Sequence, residues 1–459
     1  MNVLFLHTHD TGQVISPYGY KVPTPNMQRF CDGEGTLLFE NAFSAAPTCS
    51  PSRASLMTGV YPHQNGMLGL AQRGFAIDGS RHLAGILAGH GFRTVLCGVQ
   101  HEIGYYTDHQ LAGALGYAED ITSDPSGYAE KDLVRWDAEN ARSLVSWLEA
   151  YDGRRPFFCS FGQHATHREW PDAEPGAERS VRPPAYIPSN SVTRADFARF
   201  CRSASLADEH MGLVLDALER TGHADDTIVL LTTDHGLAYP FAKCTLSDAG
   251  CAVMMAMRVP GARLSAQGFE GLVSQLDIMP TLLDLLGIAA PGYLEGRSLA
   301  GLFRGEEDPG DGCVFGEISF HTSYEPARSV RTGRYKYIRY FDAGWPRRNL
   351  SNIDESPVKD WYLARGLGER PKGMECLFDL DYDVEERCNL ADDPVYAEIL
   401  ASMRERLLDF MERTDDPLLR GPIPIQPGWK VNRRSCLSAH SKDPDDYESP
   451  GAPSGQGKG

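Results

Sequence analysis

Three apolar stretches of the chain lack the polar alternation of a half-exposed strand. They cover residues 3–8, 156–161 and 227–233. Short apolar runs of this kind predict strands that are buried on both faces. Residues at helical spacing predict a helix before the third stretch, namely Leu206, Leu213, Val214, Ala217 and Leu218. Buried strands separated by helices predict an α/β fold with a mainly parallel central sheet flanked by helices.

Polar side chains stand at the points where these predicted strands end. They are, in chain order, His9, Asp10, His164, His167, Asp234 and His235. The carboxyl ends of parallel strands meet at one edge of a sheet, and ligands of open α/β sheets bind there. The pattern therefore predicts a functional site at this edge.

The pattern changes after about residue 325. Residues 330–340 hold a glycine between two β-prone segments, which predicts antiparallel strands. A short strand is predicted at 377–380 and a closing helix at 396–413. We therefore expect three parts, namely an α/β catalytic domain over 1–339, a smaller α+β subdomain with an antiparallel sheet over 340–435, and a disordered tail rich in Pro, Gly and Ser over 436–459.

The charge of the chain limits its partners. Its 459 residues include 44 Lys and Arg against 62 Asp and Glu, which gives a formal net charge of −18. This balance argues against nucleic-acid binding, because phosphates attract basic surfaces. It also provides no long-range attraction for an anionic substrate, so an anion site must be built locally.

The cysteines and the chain start indicate the compartment. Eleven cysteines occur without a C-x-x-C pair, and a chain of this size needs no disulfides, so we expect reduced thiols. The opening residues have no basic segment before a long apolar one. No stretch approaches the roughly 20 apolar residues that span a membrane. We therefore expect a cytoplasmic protein that does not contact a membrane.

The strongest local motif is Cys49-Ser50-Pro51-Ser52-Arg53, with Thr58-Gly59 and Tyr61-Pro62-His63-x-Asn65-Gly66 after it. The alternative is a buried cysteine beside a proline turn. The full pattern resembles the signature of the type I sulfatases, in which a formylglycine-generating enzyme oxidises this cysteine to formylglycine (3-oxoalanine). The resemblance implies an alkaline-phosphatase-like fold and a hydrolase of sulfate esters or sulfamates.

The proposed chemistry explains these residue types. Water is a poor nucleophile towards sulfur in a sulfate ester, whereas a hydrated aldehyde at position 49 offers two hydroxyl groups on one carbon. One hydroxyl can attack sulfur beside a metal ion and displace the alcohol or amine. The other then loses its proton and collapses the adduct, which releases sulfate and regenerates the aldehyde. Arg53, one helical turn after Cys49, can stabilise the diol and the sulfate oxygens.

The resemblance also implies a metal site. Its ligands would be Asp10, Asp234, His235 and Cys49 as formylglycine, and the usual ion is Ca²⁺, which prefers oxygen ligands. His9 stands where the family has a first aspartate, so it is either a further ligand or a neighbouring hydrogen-bonding histidine. The nitrogen ligands leave Mn²⁺ and Zn²⁺ open.

Three further residues match catalytic positions of the family. His101 matches the histidine that contacts the formylglycine hydroxyl, although the family lysine two residues earlier is Val99 here. His167 matches the histidine that binds or protonates the leaving group. Lys243 matches the basic residue that holds sulfate. The resemblance therefore implies His101, His167 and Lys243 as catalytic residues beside Cys49 and Arg53.

The segments around Glu317 and Arg328 are similar to those of heparan N-sulfatases. The implied substrate is a small sulfated saccharide of the N-sulfoglucosamine type, with Arg328 binding a second anionic group and Glu317 the sugar hydroxyls. A surface ion pair between these two residues is the alternative.

Three other functions remain open at this point. Val99 is consistent with a phosphonate monoester or phosphodiester hydrolase of the same superfamily. His9 and Val99 together are consistent with a binding protein that has lost catalysis. A zinc hydrolase built on histidines leaves the Cys49 motif unexplained; its residues would be His7, His9, His164 and His167.

Overall fold

The larger sheet carries the predicted strands. The structure is a computed structural model that describes residues 1–264, 267–308, 310 and 312–451. Its larger sheet contains β1 (Asn2–Thr8), β2 (Thr36–Phe43), β3 (Arg93–Gly98), β4 (Glu119–Asp120), β5 (Phe157–Gly162), β6 (Thr227–Thr233), β7 (Met255–Arg258) and β8 (Gly268–Ser274). The strand order is β4-β3-β5-β1-β6-β7-β2-β8. The pairings of β7 are antiparallel and the other pairings described in this sheet are parallel, which confirms the predicted sheet.

Helices cover both faces of this sheet. They are α1 (Pro25–Cys31), α2 (Cys49–Thr58), α3 (Pro62–Asn65), α4 (Leu83–Gly89), α5 (Leu133–Ala150), α6 (Ser191–Arg220), α7 (Asp248–Cys251), α8 (Ile278–Leu285) and α9 (Ala300–Phe303). Along β1, Val3 and Phe5 pack in the core that includes α2, α4 and α8. Leu4 and Leu6 pack on the opposite face, with α1, α5 and α6. No helix of the described residues has the length and apolar character of a membrane span.

One residue of the predicted helix face is placed differently. In α6, Met211, Val214 and Leu218 are buried against the sheet, whereas Leu213 is 49% exposed. Residues 211, 214 and 218 follow the spacing of three and four residues that keeps side chains on one face of a helix. Leu213 falls beside that row, so its side chain points towards solvent.

The smaller sheet is antiparallel, as predicted. It contains β9 (Cys313–Phe320), β10 (Tyr324–Thr332), β11 (Tyr335–Tyr340) and β12 (Glu375–Asp379), in the order β12-β11-β10-β9. The chain continues through α10 (Pro357–Leu363), and α11 (Ala397–Arg413) packs on the sheet. The sheet thus begins at Cys313, before the expected domain boundary at 340, because the mostly apolar β9 lacks the alternation by which an antiparallel strand is recognised in a sequence.

Residues 436–451 differ from the expected disordered tail. Cys436 is buried, and the Arg73 guanidinium donates a hydrogen bond to the carbonyl oxygen of Ala439 at 2.7 Å. The Arg433 amide donates to the carbonyl oxygen of Asp446 at 2.7 Å. These contacts order a segment that has no apolar periodicity of its own. The other expected tail residues, 452–459, lie outside the described residues.

The loops after β1 and β6 meet at the carboxyl edge of the larger sheet. The Asp10 amide donates to Asp234 Oδ1 at 2.8 Å, and the Gly12 amide donates to the carbonyl oxygen of His235 at 2.9 Å. Asp10 adopts a left-handed backbone with φ of 53°, a conformation that aspartate tolerates better than most residues. This turn brings the polar residues of both loops together.

Candidate active site

Cys49 is the first residue of α2 and is 2% exposed. The helix is fixed against the end of β6, because the Ser52 hydroxyl donates to the carbonyl oxygen of Asp234 at 2.6 Å. The thiol Sγ of Cys49 lies 3.3 Å from Nε2 of His235. The structure therefore brings the Cys49 motif to the loop after β6.

Two buried carboxylates face each other beside Cys49. Nδ1 of His9 lies 3.1 Å from Asp10 Oδ1 and 3.0 Å from Asp234 Oδ2. Nε2 of His235 lies 3.3 Å from Asp10 Oδ1, and the Arg53 guanidinium lies 3.1 Å from Asp234 Oδ2. Five residues predicted from three separate segments thus form one cluster around Cys49.

Nearby cations keep both carboxyl groups ionised. Burial would raise the pKa of Asp10, but Lys243, His167 and His235 together outweigh burial and hold the pKa well below its ordinary value. Burial would likewise raise the pKa of Asp234, and His235 and His9 hold it well below. The site therefore offers two negative oxygen ligands in a buried position.

The donor set fits a divalent metal ion. One ligand atom from each of His9, Asp10, Cys49 and Asp234 lies within 4.8 Å of the other three. Two ionised carboxylates supply the hard oxygen ligands that divalent cations prefer. The buried Nε2 of His9 has no hydrogen-bond partner among the described residues, so this ring has one nitrogen free for a ligand or a proton.

Lys243 connects the acidic pair to a residue that the sequence did not indicate. Its Nζ lies 2.8 Å from Asp10 Oδ2 and 2.9 Å from Asp354 Oδ2. Burial would lower the pKa of Lys243, but these two carboxylates raise it well above its ordinary value. The charged ammonium is therefore held at the site between two acids.

Two predicted histidines border the cluster. Nε2 of His101 lies 2.8 Å from the side-chain oxygen of Gln72, and burial lowers the pKa of His101 to about 4 although its hydrogen bond to Cys49 opposes this. The half-buried His167 ring has its centroid 4.7 Å from that of His9. Burial, followed by Lys243, lowers the pKa of His167. Both rings are therefore neutral near pH 7 and can accept a proton.

The surroundings of Cys49 favour an anion. Burial would raise the pKa of the Cys49 thiol, but Lys243, His9 and His235 lower it well below its ordinary value. A buried position where positive groups outweigh burial stabilises any anionic group placed there. The chain as a whole has a net charge of −18, so an anionic substrate needs positive groups close to where it binds. This cluster provides such groups.

Val99 is an apolar packing residue. It is fully buried and packs with Tyr106 and Trp136. Its side chain therefore leaves the position of the family lysine without a charge. Among the described residues, Arg53 contacts Asp234 and Lys243 contacts Asp10. These two side chains therefore supply the Lys and Arg charges at the acidic pair.

Three residues that no sequence pattern indicates also lie at the cluster, namely Gln72, His321 and Asp354. His321, in the turn between β9 and β10, is 5% exposed; burial lowers its pKa, and the nearby Cys49 opposes that shift. Asp354 lies in the loop before α10, and Gln72 is an exposed residue after α3. Each stands alone in its segment without a motif, so only the tertiary fold reveals its position.

The histidines of the zinc-hydrolase alternative do not form one site. Nδ1 of His7 lies 2.7 Å from the Arg53 guanidinium, and its Nε2 lies 3.1 Å from the Ser160 hydroxyl. Among the described residues, His7 belongs to no group of ligand atoms with His9, His164 or His167. His7 instead holds Arg53 in place.

Glu317 and Arg328 lie in a second, fully buried cluster. The Arg328 guanidinium donates to both oxygens of Asp416, at 2.5 and 3.1 Å, and lies 3.7 Å from Glu317. Glu317 accepts hydrogen bonds from the amide and ring nitrogens of His63. The pair is an ion pair, but a buried one. Through these contacts, β9 is joined to α3 and β10 is joined to the chain after α11.

We expect the substitution Asp416→Asn to lower the free energy of unfolding by about 3 kcal/mol, because it leaves a buried guanidinium without its bidentate partner. Urea denaturation would measure this loss. The matched control is Asp409→Asn on the exposed face of α11, which should change stability by less than about 0.5 kcal/mol. Equal stability of the two variants would contradict a stabilising role for this cluster.

Comparisons with known proteins identify the family of this chain. Residues 2–288 match the family model described as Sulfatase, and residues 234–358 match the model described as N-sulphoglucosamine sulphohydrolase, C-terminal. The human N-sulphoglucosamine sulphohydrolase is 30% identical over 475 residues, which covers 92% of each chain. A solved 2-O GAG sulfatase has a TM-score of 0.66 at 23% identity, covering 100% of this chain and 98% of its own. The phosphonate monoester hydrolase of Agrobacterium radiobacter has a TM-score of 0.68 at 20% identity, covering 90% and 96%. The two structures share the fold, and because the family model covers more than half of the sequence, this chain belongs to the sulfatase family.

Proposed function

We propose that this protein hydrolyses a sulfate ester or sulfamate on a small saccharide of the N-sulfoglucosamine type. The observation that carries the proposal is the position of Cys49, at the start of a buried helix and beside the Asp10–Asp234 pair. The similarity to the human N-sulphoglucosamine sulphohydrolase supports an N-sulfated substrate. A formylglycine-generating enzyme would be the partner that matures Cys49.

Asp10, Asp234, His235 and His9 would hold the divalent metal ion together with residue 49. The two carboxylates suit Ca²⁺, whereas the two histidines favour Mn²⁺ or Zn²⁺. With that ion bound, an oxidised Cys49 would supply, as its hydrate, the hydroxyl nucleophile for attack on sulfur.

The remaining residues have roles that follow from their contacts. Lys243 and Arg53 are fixed positive groups beside Cys49 and would bind the sulfate oxygens. His101, neutral because burial lowers its pKa to about 4, would accept a proton. The half-buried His167, as a neutral ring, would bind the leaving group of the substrate.

Hydrolysis of matched substrates tests this function. We expect protein carrying formylglycine at position 49 to release sulfate from N-sulfoglucosamine with a kcat/KM at least about 100-fold above that for a matched phosphate monoester, a difference of about 2.7 kcal/mol in transition-state stabilisation. A panel of N- and O-sulfated glucosamines would identify the linkage. A preference for the phosphate monoester would overturn the sulfatase assignment.

A phosphonate monoester or phosphodiester hydrolase is the second candidate. The observation that favours it is Val99, an apolar residue where sulfatases carry a lysine. The same assay with a phosphonate monoester and a phosphodiester separates the two functions. A binding protein without catalysis would instead retain unmodified Cys49 in its native host, which the intact mass of the purified chain would reveal.

A further inference from the structure

A large cleft is lined in part by the loop that carries Lys243. Its volume is about 1130 Å³, which slightly exceeds the range of roughly 300–1,000 Å³ that is typical of small-molecule sites. Gly12, Leu237 and Phe241 form part of its wall. The cleft can therefore hold a ligand larger than a single sugar ring.

The cleft carries a surplus of positive charge. Arg182, Arg348 and Arg370 line it, and none of the three has a carboxylate partner among the described residues. The three acids of its lining are already paired, Asp248 and Glu386 with Lys336 and Glu385 with Arg387. On a chain of charge −18, three unpaired arginines in one concave surface indicate an anionic ligand.

Aromatic side chains and an unpaired hydroxyl suit a sugar. Tyr20, Tyr340 and Tyr362 line the cleft beside the arginines, and the Arg348 guanidinium lies over the Phe241 ring at 4.9 Å. The Tyr186 hydroxyl is buried at the cleft wall without a hydrogen-bond partner among the described residues. A buried polar group of this kind is normally satisfied, and a ligand hydroxyl or sulfate oxygen could satisfy it.

The cleft and the Cys49 site share two chain segments. Phe241 lines the cleft, while Lys243 points its ammonium at Asp10. Arg348 lines the cleft, while Asp354 contacts Lys243. Asp354 follows Arg348 by six positions, so their Cα atoms lie within about 20 Å of each other. The distance between the cleft and the Cys49 site is therefore one that a short oligosaccharide is long enough to span.

We propose that this cleft binds additional sulfated sugar residues of an oligosaccharide whose end is processed at Cys49. Arg182, Arg348 and Arg370 bind sulfate or carboxylate groups of the chain, and the tyrosines pack against its sugar rings. The proposal rests on the function proposed above, because it takes the Cys49 site to act on a sulfated saccharide. If the cleft binds these sugars, the protein should bind oligosaccharides more tightly than monosaccharides.

Calorimetric titration of a Cys49→Ala protein tests the proposal without turnover. The probe is a heparin hexasaccharide, and the variant adds Arg182→Ala and Arg370→Ala, two exposed side chains. We expect its dissociation constant for the hexasaccharide to rise at least about tenfold, because charge-assisted hydrogen bonds to an anion are among the strongest in proteins. In protein with Cys49 converted to formylglycine, the same pair of substitutions should leave kcat/KM for monomeric N-sulfoglucosamine unchanged.

The matched control replaces Arg135 and Arg154 by alanine, side chains that are 77% and 85% exposed and lie outside the cleft. The proposal is overturned if the control weakens hexasaccharide binding as much as the cleft variant, or if the cleft variant binds as tightly as the Cys49→Ala parent. Failure of the proposed function would appear separately, as absence of sulfate release from every substrate. The binding comparison does not depend on that result.

Discussion

The substitution Cys49→Ser is expected to lower kcat/KM by at least about 10⁴-fold while leaving the melting temperature close to that of the unsubstituted protein. Serine is similar in size to cysteine, and its hydroxyl can keep the polar contact with His235 that Sγ makes at 3.3 Å. It cannot be oxidised to the aldehyde by the same route, so the proposed nucleophile is absent. Sulfate release and thermal denaturation would be measured on the same preparations.

The matched control for this prediction is Cys388→Ser. Cys388 is exposed after β12, away from the cluster, so its replacement should leave both activity and melting temperature unchanged. Near-normal activity of the Cys49→Ser protein would refute the formylglycine mechanism. A large fall in its melting temperature would instead mean that loss of activity reports on folding.

The sequence predicted those parts of the site that lie at strand ends. The apolar strands β1 and β6 each end in a polar pair, and parallel pairing brings such ends together without further information. Cys49 could be placed there only through its motif, because its position depends on how α2 packs across the sheet. That packing is set by contacts such as Ser52 to Asp234, which join residues 182 positions apart.

Asp354 and His321 were not predictable by the same means. Each reaches the cluster from the C-terminal part of the chain, as a single polar residue without a repeating pattern. Glu317 and Arg328 show the opposite case, because a local resemblance suggested substrate binding, whereas the structure gives Arg328 the distant partner Asp416. Sequence patterns identify residue types, but long-range packing decides which charges pair.

The second large effect is expected at Asp234. In the unsubstituted protein, metal ion at 100 times its dissociation constant should stabilise the fold by about 2.7 kcal/mol, and Asp234→Asn should abolish both this gain and sulfate release. The asparagine oxygen can still accept the two amide hydrogen bonds that Oδ1 receives, from Asp10 and His235 at 2.8 and 2.9 Å. Its amide group faces Arg53 and His9, where Oδ2 now stands, so the negative charge needed by the metal is lost.

Thermal denaturation with Ca²⁺, Mn²⁺ or Zn²⁺, after removal of metal by a chelator, would measure this effect and identify the ion that stabilises most. The matched control is Asp225→Asn, an exposed residue just before β6 at the opposite end of the same strand. That control should respond to metal as the unsubstituted protein does. If Asp234→Asn kept the full metal-dependent shift, the cation would have to bind elsewhere than between β1 and β6. The carboxylates beside Cys49 would then serve only to hold Lys243, His9 and Arg53 in position.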